Sequence, residues 1–536
     1  MDRVVIVGSG ASGVHFALSL LKKSYQVLMV DVGYSAAPSV LPGDHFNALK
    51  SNLPDPVGYF LGPRFESLIL PDRESEYYGF PPSKDYVFRR PDRFQYHANG
   101  FSPLLSFAGG GLAQVWTGGS YPFNDADLEA FPFSYSEIEP HYSEVAKRTG
   151  ISGTADDLAR FLPVHSGLQQ PLELDEHSAN LLHQYDKRKA YLNENLRCFM
   201  GRARVAVLSR DLGSRKACGY SGRCLWGCPS ESLYTPSLTL RECKSYPNFE
   251  YRTGVYVSHF RFGPGGRITS LAAHSSNNGT RFDIDVDKVV LAAGTLCSSQ
   301  IVLQSIFKDT GEVMQLKGLM DNRQVLMPFV NLHMLGKPYN TQTYQYHQVA
   351  IGLEAARPFD YVHGLVTTLK TALIHPIVQS IPFDLRTSLS FFRNIHAGLG
   401  LININFPDSR RDENYLTLTP AMKSGSPALA MHYQPAEDEK ARLASTNKIF
   451  RMLLWKLGCI APPPMTHVRP MGASVHYAGT IPMTAESAPW TATKYCQSRD
   501  FPNLYFADGT TFPALPSKNL TFTLMANAVR VAEEAF

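Results

Sequence analysis

Long apolar runs and dense basic blocks are both missing from this sequence of 536 residues, and a leader peptide is not expected. Without a stretch of about 18 uncharged apolar residues, no membrane-spanning helix is expected. The formal charge of +4 is small and no block of lysine and arginine occurs, which excludes the usual footprint of a nucleic-acid-binding protein. An apolar strand follows Met1 almost at once and leaves no room for a signal peptide, so a cytoplasmic location is expected.

Cysteine is also scarce, with eight residues in the chain. In a large protein that is not exported, cysteines are more often free thiols or ligands than a disulfide framework. Cys218, Cys224 and Cys228 lie close together in the sequence. Thiolates at such spacing are compatible with an iron–sulfur cluster that passes electrons onward. A buried structural loop is the favoured interpretation, and no metal is expected.

The remaining composition is that of a globular protein, with 44% hydrophobic and 18% charged residues. A chain of this length exceeds one ordinary core, so two domains are expected, either consecutive or interleaved in sequence.

The first motif is a glycine-rich turn between a strand and a helix. Val4–Val7 predicts the strand, Gly8-Ser9-Gly10-Ala11-Ser12-Gly13 the turn, and Val14–Leu21 an amphipathic helix. In this pattern the first glycine makes the turn, the second lets backbone approach a pyrophosphate, and the third lets helix and strand pack closely. A second predicted strand, Val27–Val30, ends at Asp31, where a carboxylate binds a ribose diol. The motif predicts a dinucleotide site without separating FAD from NAD.

Later segments favour FAD. Residues 255–262, 268–274 and 282–286 predict a β-meander, and residues 288–294 then predict a strand and turn that lead into a helix. A return from a meander to a parallel sheet fits a large FAD-binding fold better than a plain nicotinamide domain. Near the end of the chain, residues 503–509 predict a strand and turn, and residues 520–535 a final helix. The N-terminus of that helix would stabilise negative charge on a reduced flavin.

Taken in order, these motifs resemble the glucose-methanol-choline (GMC) oxidoreductase family. The matching pieces span almost the whole chain: Gly8 to Gly13, Asp31, Gly109-Gly110-Gly111, Trp116-Thr117-Gly118-Gly119, Ala292-Ala293-Gly294-Thr295, His476-Tyr477-Ala478-Gly479-Thr480, Asp508-Gly509 and Asn519.

The resemblance implies an α/β (α+β) fold with a Rossmann-like FAD-binding domain of the glutathione-reductase type. That domain would be assembled from residues 1–155, 205–310 and 470–536, and a β-sheet substrate-binding domain from residues 156–204 and 311–469. The strand that begins at Val255 would place Val257 against the adenine. The residues expected to bind the cofactor are Gly8, Gly10, Ser12, Gly13, Asp31, Gly110, Gly111, Trp116, Gly118, Val257, Ala293, Asp508 and Gly509.

Two further residues are expected to carry the chemistry. Loss of a hydride from an alcohol to flavin N5 needs a base for the hydroxyl proton, and histidine suits that work near neutral pH. His476 lies in the segment that resembles the family's catalytic-histidine segment, and Asn519 occupies the place of its polar partner. A purely structural interpretation is the alternative: His476 would donate a hydrogen bond to a local carbonyl, and Asn519 would cap the last helix.

The resemblance also bears on how FAD is held. Some relatives tether FAD through a histidine just before the tryptophan of the glycine-rich loop, but Val115 stands there in this chain, so noncovalent FAD is expected. Trp116 is interpreted either as a lining residue or as a structural indole.

The expected activity is oxidation of a sugar, a glycoside or a similar secondary alcohol. The alternatives are a lipid-like or natural-product alcohol, a lyase that keeps FAD as a structural element, and an FAD-binding protein without catalysis. The electron acceptor stays open among oxygen, a quinone and a redox protein. Residues 361–401 are rich in apolar side chains, which favours a domain wall or an oligomer interface over contact with a membrane surface.

Overall fold

The computed structural model describes residues 3–36, 44–68, 76, 78–369, 374–419 and 427–536. Its helices are α1 (Ala11–Lys22), α2 (Phe46–Asn52), α3 (Pro56–Leu61), α4 (Tyr135–Thr149), α5 (Glu176–Asn195), α6 (Pro236–Cys243), α7 (Thr295–Thr310), α8 (His375–Val378), α9 (Leu385–Ile395), α10 (Glu439–Lys456) and α11 (Thr521–Glu534).

The strands of the first half of the chain are β1 (Arg3–Val7), β2 (Gln26–Val30), β3 (Tyr96–Asn99), β4 (Ile151–Ser152), β5 (Leu168–Gln169), β6 (Cys198–Arg202), β7 (Phe249–Arg252), β8 (Val255–Phe262), β9 (Ile268–Ser275), β10 (Arg281–Asp285) and β11 (Lys288–Leu291). Those that follow are β12 (Leu316–Lys317), β13 (Gln324–Asn331), β14 (Val349–Leu353), β15 (Val362–Thr368), β16 (Leu399–Asn405), β17 (Asp408–Ser409), β18 (Tyr415–Thr419), β19 (Ala428–His432), β20 (Cys459–Ile460), β21 (His467–Val468), β22 (Leu504–Phe506) and β23 (Ala514–Leu515).

A parallel sheet of five strands forms the first layer, in the order β22, β11, β1, β2 and β7. The inner strands β11, β1 and β2 are short and largely apolar because both faces of the sheet are covered there, whereas the edge strand β7 carries Glu250 and Arg252. Helix α1 packs between this sheet, α6 and α11. The predicted meander is confirmed as the antiparallel sheet β8–β9–β10.

An antiparallel sheet of seven strands forms the second large unit, with β20, β13, β16, β15, β14 and β6 in order and β21 also paired to β13. Side chains of successive residues in a strand point to opposite faces. One face packs on α5 and α10 through an apolar cluster that includes Val362, Val366, Ile402 and Ile404. The other face is therefore turned toward the remainder of the protein.

The α/β fold class is confirmed. The strands of the five-stranded sheet come from residues 3–30, 249–291 and 504–506, and those of the seven-stranded sheet from residues 198–202 and 324–468. The domain boundaries given above stay predictions.

The apolar segment 361–401 contains β15, the helices α8 and α9 and the start of β16, whereas residues 370–373 lie outside the described residues. Phe383, Leu385 and Phe391 are largely exposed there. Among the residues that the structure describes, every helix is too short or too polar to span a lipid bilayer.

Candidate active site

A cleft of about 220 Å³ lies at the carboxyl ends of β1, β2 and β11. The N-termini of α1, α7 and α11 all border it, through Gly10, Gly294 and Leu520. Three helix N-termini that meet at one place stabilise a negatively charged group there, such as the pyrophosphate of a dinucleotide. Most of the predicted cofactor residues line this cleft, namely Gly8, Gly10, Ser12, Asp31, Gly110, Gly111, Val257, Ala293, Asp508 and Gly509.

Each glycine of the first turn is required for a different structural reason. Gly8 has a φ of +107°, and a Cβ on Gly13 would stand 2.3 Å from the carbonyl oxygen of Gly8. By contrast, a Cβ on Gly10 would meet no protein atom within 4 Å. Gly10 therefore leaves open the space that a ligand backbone or phosphate needs, whereas Gly13 lets the helix approach the strand.

Asp31 lies at the end of β2 and borders the cleft. Its carboxylate accepts hydrogen bonds from the N–H groups of Ser9, at 3.0 Å, and Gly33, at 3.1 Å, and from the Ser9 hydroxyl. Burial raises the pKa of this carboxyl to about 6, against the effect of these hydrogen bonds. Ser9 also accepts from the N–H of Gly110 at 3.1 Å, so the two glycine-rich loops are joined at this carboxylate.

Gly13, Trp116 and Gly118 do not line the cleft. The Trp116 indole donates to the carbonyl oxygen of Tyr234 at 2.7 Å. Gly118 has a φ of +75°, and a Cβ there would meet the Leu233 side chain at 3.0 Å. In this structure the three residues serve packing around the cleft. Val115 is buried in a cluster with Trp226 and Phe46.

His476 is buried and lies against two asparagine side chains. Its Nδ1 lies 2.9 Å from Oδ1 of Asn322, and its Nε2 lies 3.5 Å from Nδ2 of Asn519. The adjoining residues Val475 and Tyr477 line the cleft, and Leu520, which follows Asn519, lines it too. The structure thus brings the two predicted reactive residues together at the edge of the dinucleotide cleft.

Asn322 determines which nitrogen of His476 carries the proton. The Asn322 amide nitrogen donates to the carbonyl oxygens of Phe406, at 2.9 Å, and Pro516, at 3.0 Å. Its Oδ1 therefore faces His476 and accepts from Nδ1–H, which leaves Nε2 unprotonated. Burial, with a smaller effect from Arg469, lowers the pKa of His476 to about 4, so the imidazole is neutral near pH 7.

The loop that carries His476 is strained and clamped. Val475 has a φ of +61°, which costs a β-branched residue about 1–3 kcal/mol. Asp321, fully buried, accepts from the N–H of Gly472 at 2.6 Å and from the Ser474 hydroxyl. Burial raises the pKa of Asp321 to about 7, opposed by the Ser474 and Gly472 hydrogen bonds. These contacts fix the direction of the imidazole.

Asn519 does not cap the final helix, because Leu520 is the N-cap residue of α11. Its Oδ1 is buried without a hydrogen-bond partner among the described residues. A Cβ on Gly119 would stand 3.1 Å from that oxygen, so the amide lies against the second glycine-rich loop.

Sequence reasoning missed Asp321 and Asn322. They belong to the polar run Asp321-Asn322-Arg323-Gln324, which is typical of an exposed turn but is buried here. The one usable signal is a run of polar residues directly before an apolar strand.

The three clustered cysteines lie beside a different core. Cys218, Cys224 and Cys228 are half-buried against an apolar cluster that contains Tyr344 and Leu233. The Sγ of Cys228 is 3.2 Å from the hydroxyl of Ser232. Within the described ranges, no three His, Cys, Asp or Glu side chains are grouped so that they could hold a metal ion.

Comparison with known proteins shows which oxidoreductases this chain resembles. Residues 409–528 match the GMC oxidoreductase family model. The 2-methyl-1,2-propanediol dehydrogenase of Mycolicibacterium austroafricanum is 23% identical over 99% of this chain and 94% of its own length. The C-terminal part of the chain thus carries a GMC oxidoreductase domain, and the predicted resemblance to that family is confirmed. The chain is an FAD-dependent oxidoreductase that acts on CH–OH groups.

A further relative and two solved structures that resemble this chain are named as oxidases. Paromamine 6'-oxidase of Streptomyces fradiae is 21% identical over 99% of this chain and 90% of that protein. Among solved structures, pyridoxine 4-oxidase from Mesorbium loti superposes with a TM-score of 0.61 at 14% identity, over 100% of this chain and 99% of that one. A formate oxidase variant from Aspergillus oryzae RIB40, studied for its effect on FAD modification, gives 0.63 at 12% identity over 99% and 98%.

Proposed function

We propose that His476 accepts the hydroxyl proton, and Asn519 donates a hydrogen bond to the oxygen, in the oxidation of an alcohol such as a sugar or a glycoside. The contact between Asn322 and Nδ1 of His476 carries this proposal, because it leaves Nε2 free to act as a base. When bound, FAD supplies the acceptor for the hydride that leaves the carbinol carbon.

The residues of the cleft fit FAD as a noncovalent ligand. Gly10 and Gly294 offer surface without any protein atom within 4 Å of an added Cβ, which suits close approach of a pyrophosphate. Asp31 offers a carboxylate for a ribose diol. Val115, at the position where a tethering histidine would stand, has no atom that bonds to a flavin. Denaturation in acid should therefore release all of the flavin into solution.

The neutral imidazole and the amide act on one oxygen. With Nε2 unprotonated, His476 removes the hydroxyl proton as the carbon loses its hydride, so no cationic carbon has to build up. The long separation of 3.5 Å between Nε2 and Nδ2 of Asn519 leaves room for a substrate oxygen to replace that contact. Asn519 then donates to the same oxygen and fixes its distance from the base.

The test is anaerobic bleaching of bound FAD by a panel of sugars, glycosides and simple alcohols, in the wild-type protein and in His476→Ala. We expect His476→Ala to bind FAD normally and to slow reduction by about 10²–10⁴-fold, the usual contribution of a general base.

His259→Gln is the matched control, because burial also lowers the pKa of that histidine to about 4 but it lies on the meander, outside the cleft. It should reduce at the wild-type rate. Equal rates for wild type and His476→Ala would refute the assignment of the base.

A further inference from the structure

One face of the seven-stranded sheet carries two buried polar atoms without hydrogen-bond partners among the described residues. They are Nε2 of His363 on β15 and Oδ1 of Asn403 on β16. In the register of these strands His363 is opposite Asn405 and Leu365 is opposite Asn403, so His363 and Asn403 are diagonal neighbours on one face. Their neighbours Val362 and Ile402 point to the other face, into the helix-covered core.

This face adjoins the reactive pair. The ring of Tyr121 packs on His363 with centroids 4.4 Å apart. A Cβ on Gly119 would lie 3.2 Å from Tyr121 and 3.1 Å from Oδ1 of Asn519. Asn519 and Tyr121 therefore both lie next to Gly119, which brings the Tyr121–His363 pair close to the reactive pair.

The two unpartnered atoms are complementary in hydrogen bonding. Nδ1 of His363 is 2.8 Å from the hydroxyl of Tyr361, which has no other partner among the described residues. The Tyr361 hydroxyl therefore donates to Nδ1, and Nε2 of His363 carries the proton and needs an acceptor. Oδ1 of Asn403 needs a donor. Because leaving such buried atoms unmet is costly, clusters of them are uncommon in native proteins.

The charges around His363 disfavour a cationic ligand group. Burial and the field of Lys518 lower the pKa of His363 to about 3, so this imidazole is neutral. Lys518 is fully buried and bonded to Asp127 and to the carbonyl oxygen of Phe161. The positive charge of Lys518 would repel a cationic group placed near His363. The carboxylate of Asp127 could not offset this repulsion, because it is already paired with Lys518.

We propose that His363 and Asn403 bind a second, unreacted hydroxyl of the substrate, so that the enzyme prefers neutral diols and polyols. This inference rests on the proposed role of His476. A hydroxyl accepts from Nε2–H of His363 and donates to Oδ1 of Asn403. An ammonium can only donate, a carboxylate can only accept, and a methyl group satisfies neither atom.

Three alcohols of nearly equal shape test the inference in the wild-type enzyme: 2-methyl-1,2-propanediol, 2,2-dimethyl-1-propanol and 2-amino-2-methyl-1-propanol. Each has one oxidisable hydroxyl, and they differ in the second group, which is hydroxyl, methyl or ammonium. We expect the diol to reduce FAD anaerobically at least about tenfold more efficiently than either analogue. Equal efficiency for diol and methyl analogue would overturn the inference.

Variants test whether the preference for the diol depends on His363 and Asn403. In Asn403→Leu and His363→Phe the ratio of diol to methyl-analogue efficiency should fall toward one, while Ile402→Val, on the opposite face of β16, should keep the wild-type ratio. A wild-type ratio in both subsite variants contradicts the inference. Thermal unfolding of each FAD-loaded variant checks its fold.

The two proposals fail separately. If other alcohols bleach FAD in a manner that depends on His476 but the diol does not, the subsite is wrong and the base assignment stands. If His476→Ala leaves reduction by every alcohol unchanged, the base assignment is wrong whatever the ratio.

Discussion

The dinucleotide cleft is formed mainly by backbone groups, whereas the reaction site next to it is formed by side chains. The cleft is made of backbone: glycines at Gly8, Gly10 and Gly294, and the first turns of three helices. The reaction site is made of neutral side chains whose direction is set by other side chains, as Asn322 sets His476. Backbone recognition tolerates few residue types, whereas a side-chain site changes with single substitutions on a preserved fold.

This difference predicts distinct failures. A change in the cleft should abolish FAD binding or folding, whereas a change in the reaction site should leave FAD bound and alter rate, pH dependence or substrate preference.

The largest effect is expected within the first glycine turn. Gly13→Ala places a Cβ 2.3 Å from a backbone oxygen, so the turn must shift and folding should suffer. Gly10→Ala meets no protein atom within 4 Å, so the protein should fold without FAD as the wild type does but fail to bind FAD. Thermal unfolding with and without FAD, and the flavin content of purified protein, separate the two outcomes. Wild-type FAD affinity in Gly10→Ala would contradict the backbone account.

A smaller effect is expected from the ion pair that anchors the residue before Asn519. Lys518→Met leaves Asp127 buried without its cation and should lower the free energy of unfolding by about 3–5 kcal/mol. The double variant Lys518→Met with Asp127→Asn should recover much of this loss, because no buried charge is left alone. Chemical denaturation of both variants measures the free energy of unfolding. An equal decrease in the single and the double variant would show that the ion pair does not anchor the loop.

The smallest effect on stability, with a clear effect on chemistry, is expected at Asn322. Asn322→Leu removes the partner of Nδ1 and should slow FAD reduction about tenfold to a hundredfold with FAD still bound. Asn322→Asp puts an anion beside the ring, which stabilises the imidazolium and raises the pKa of His476 from about 4 by about one unit or more.

Since the base must be neutral, activity is lost as pH falls through that pKa, so the acid limb of kcat/KM should move to higher pH in Asn322→Asp. An unmoved limb in Asn322→Asp would show that another group sets it.

The same contrast explains what could be predicted from the sequence. The turn from Gly8 to Gly13, the meander and the final helix were predictable because each depends on local periodicity and glycine spacing. The roles of His476 and Asn519 were predicted through the family resemblance and not from their local pattern. The proposed roles of Asn322, Asn403 and His363 were not predictable, since they depend on strand register and on contacts between residues far apart in the chain. The carboxylate of Asp31 was predicted, but its bond to Ser9 was not.

The most direct measurement of the central claim is a crystal structure of the FAD-bound enzyme with an alcohol in place. We predict one alcohol oxygen within hydrogen-bond distance of both Nε2 of His476 and the amide of Asn519, with Nδ1 still bonded to Asn322. An alcohol oxygen bonded to neither residue, with its carbinol carbon against the flavin, would contradict the account.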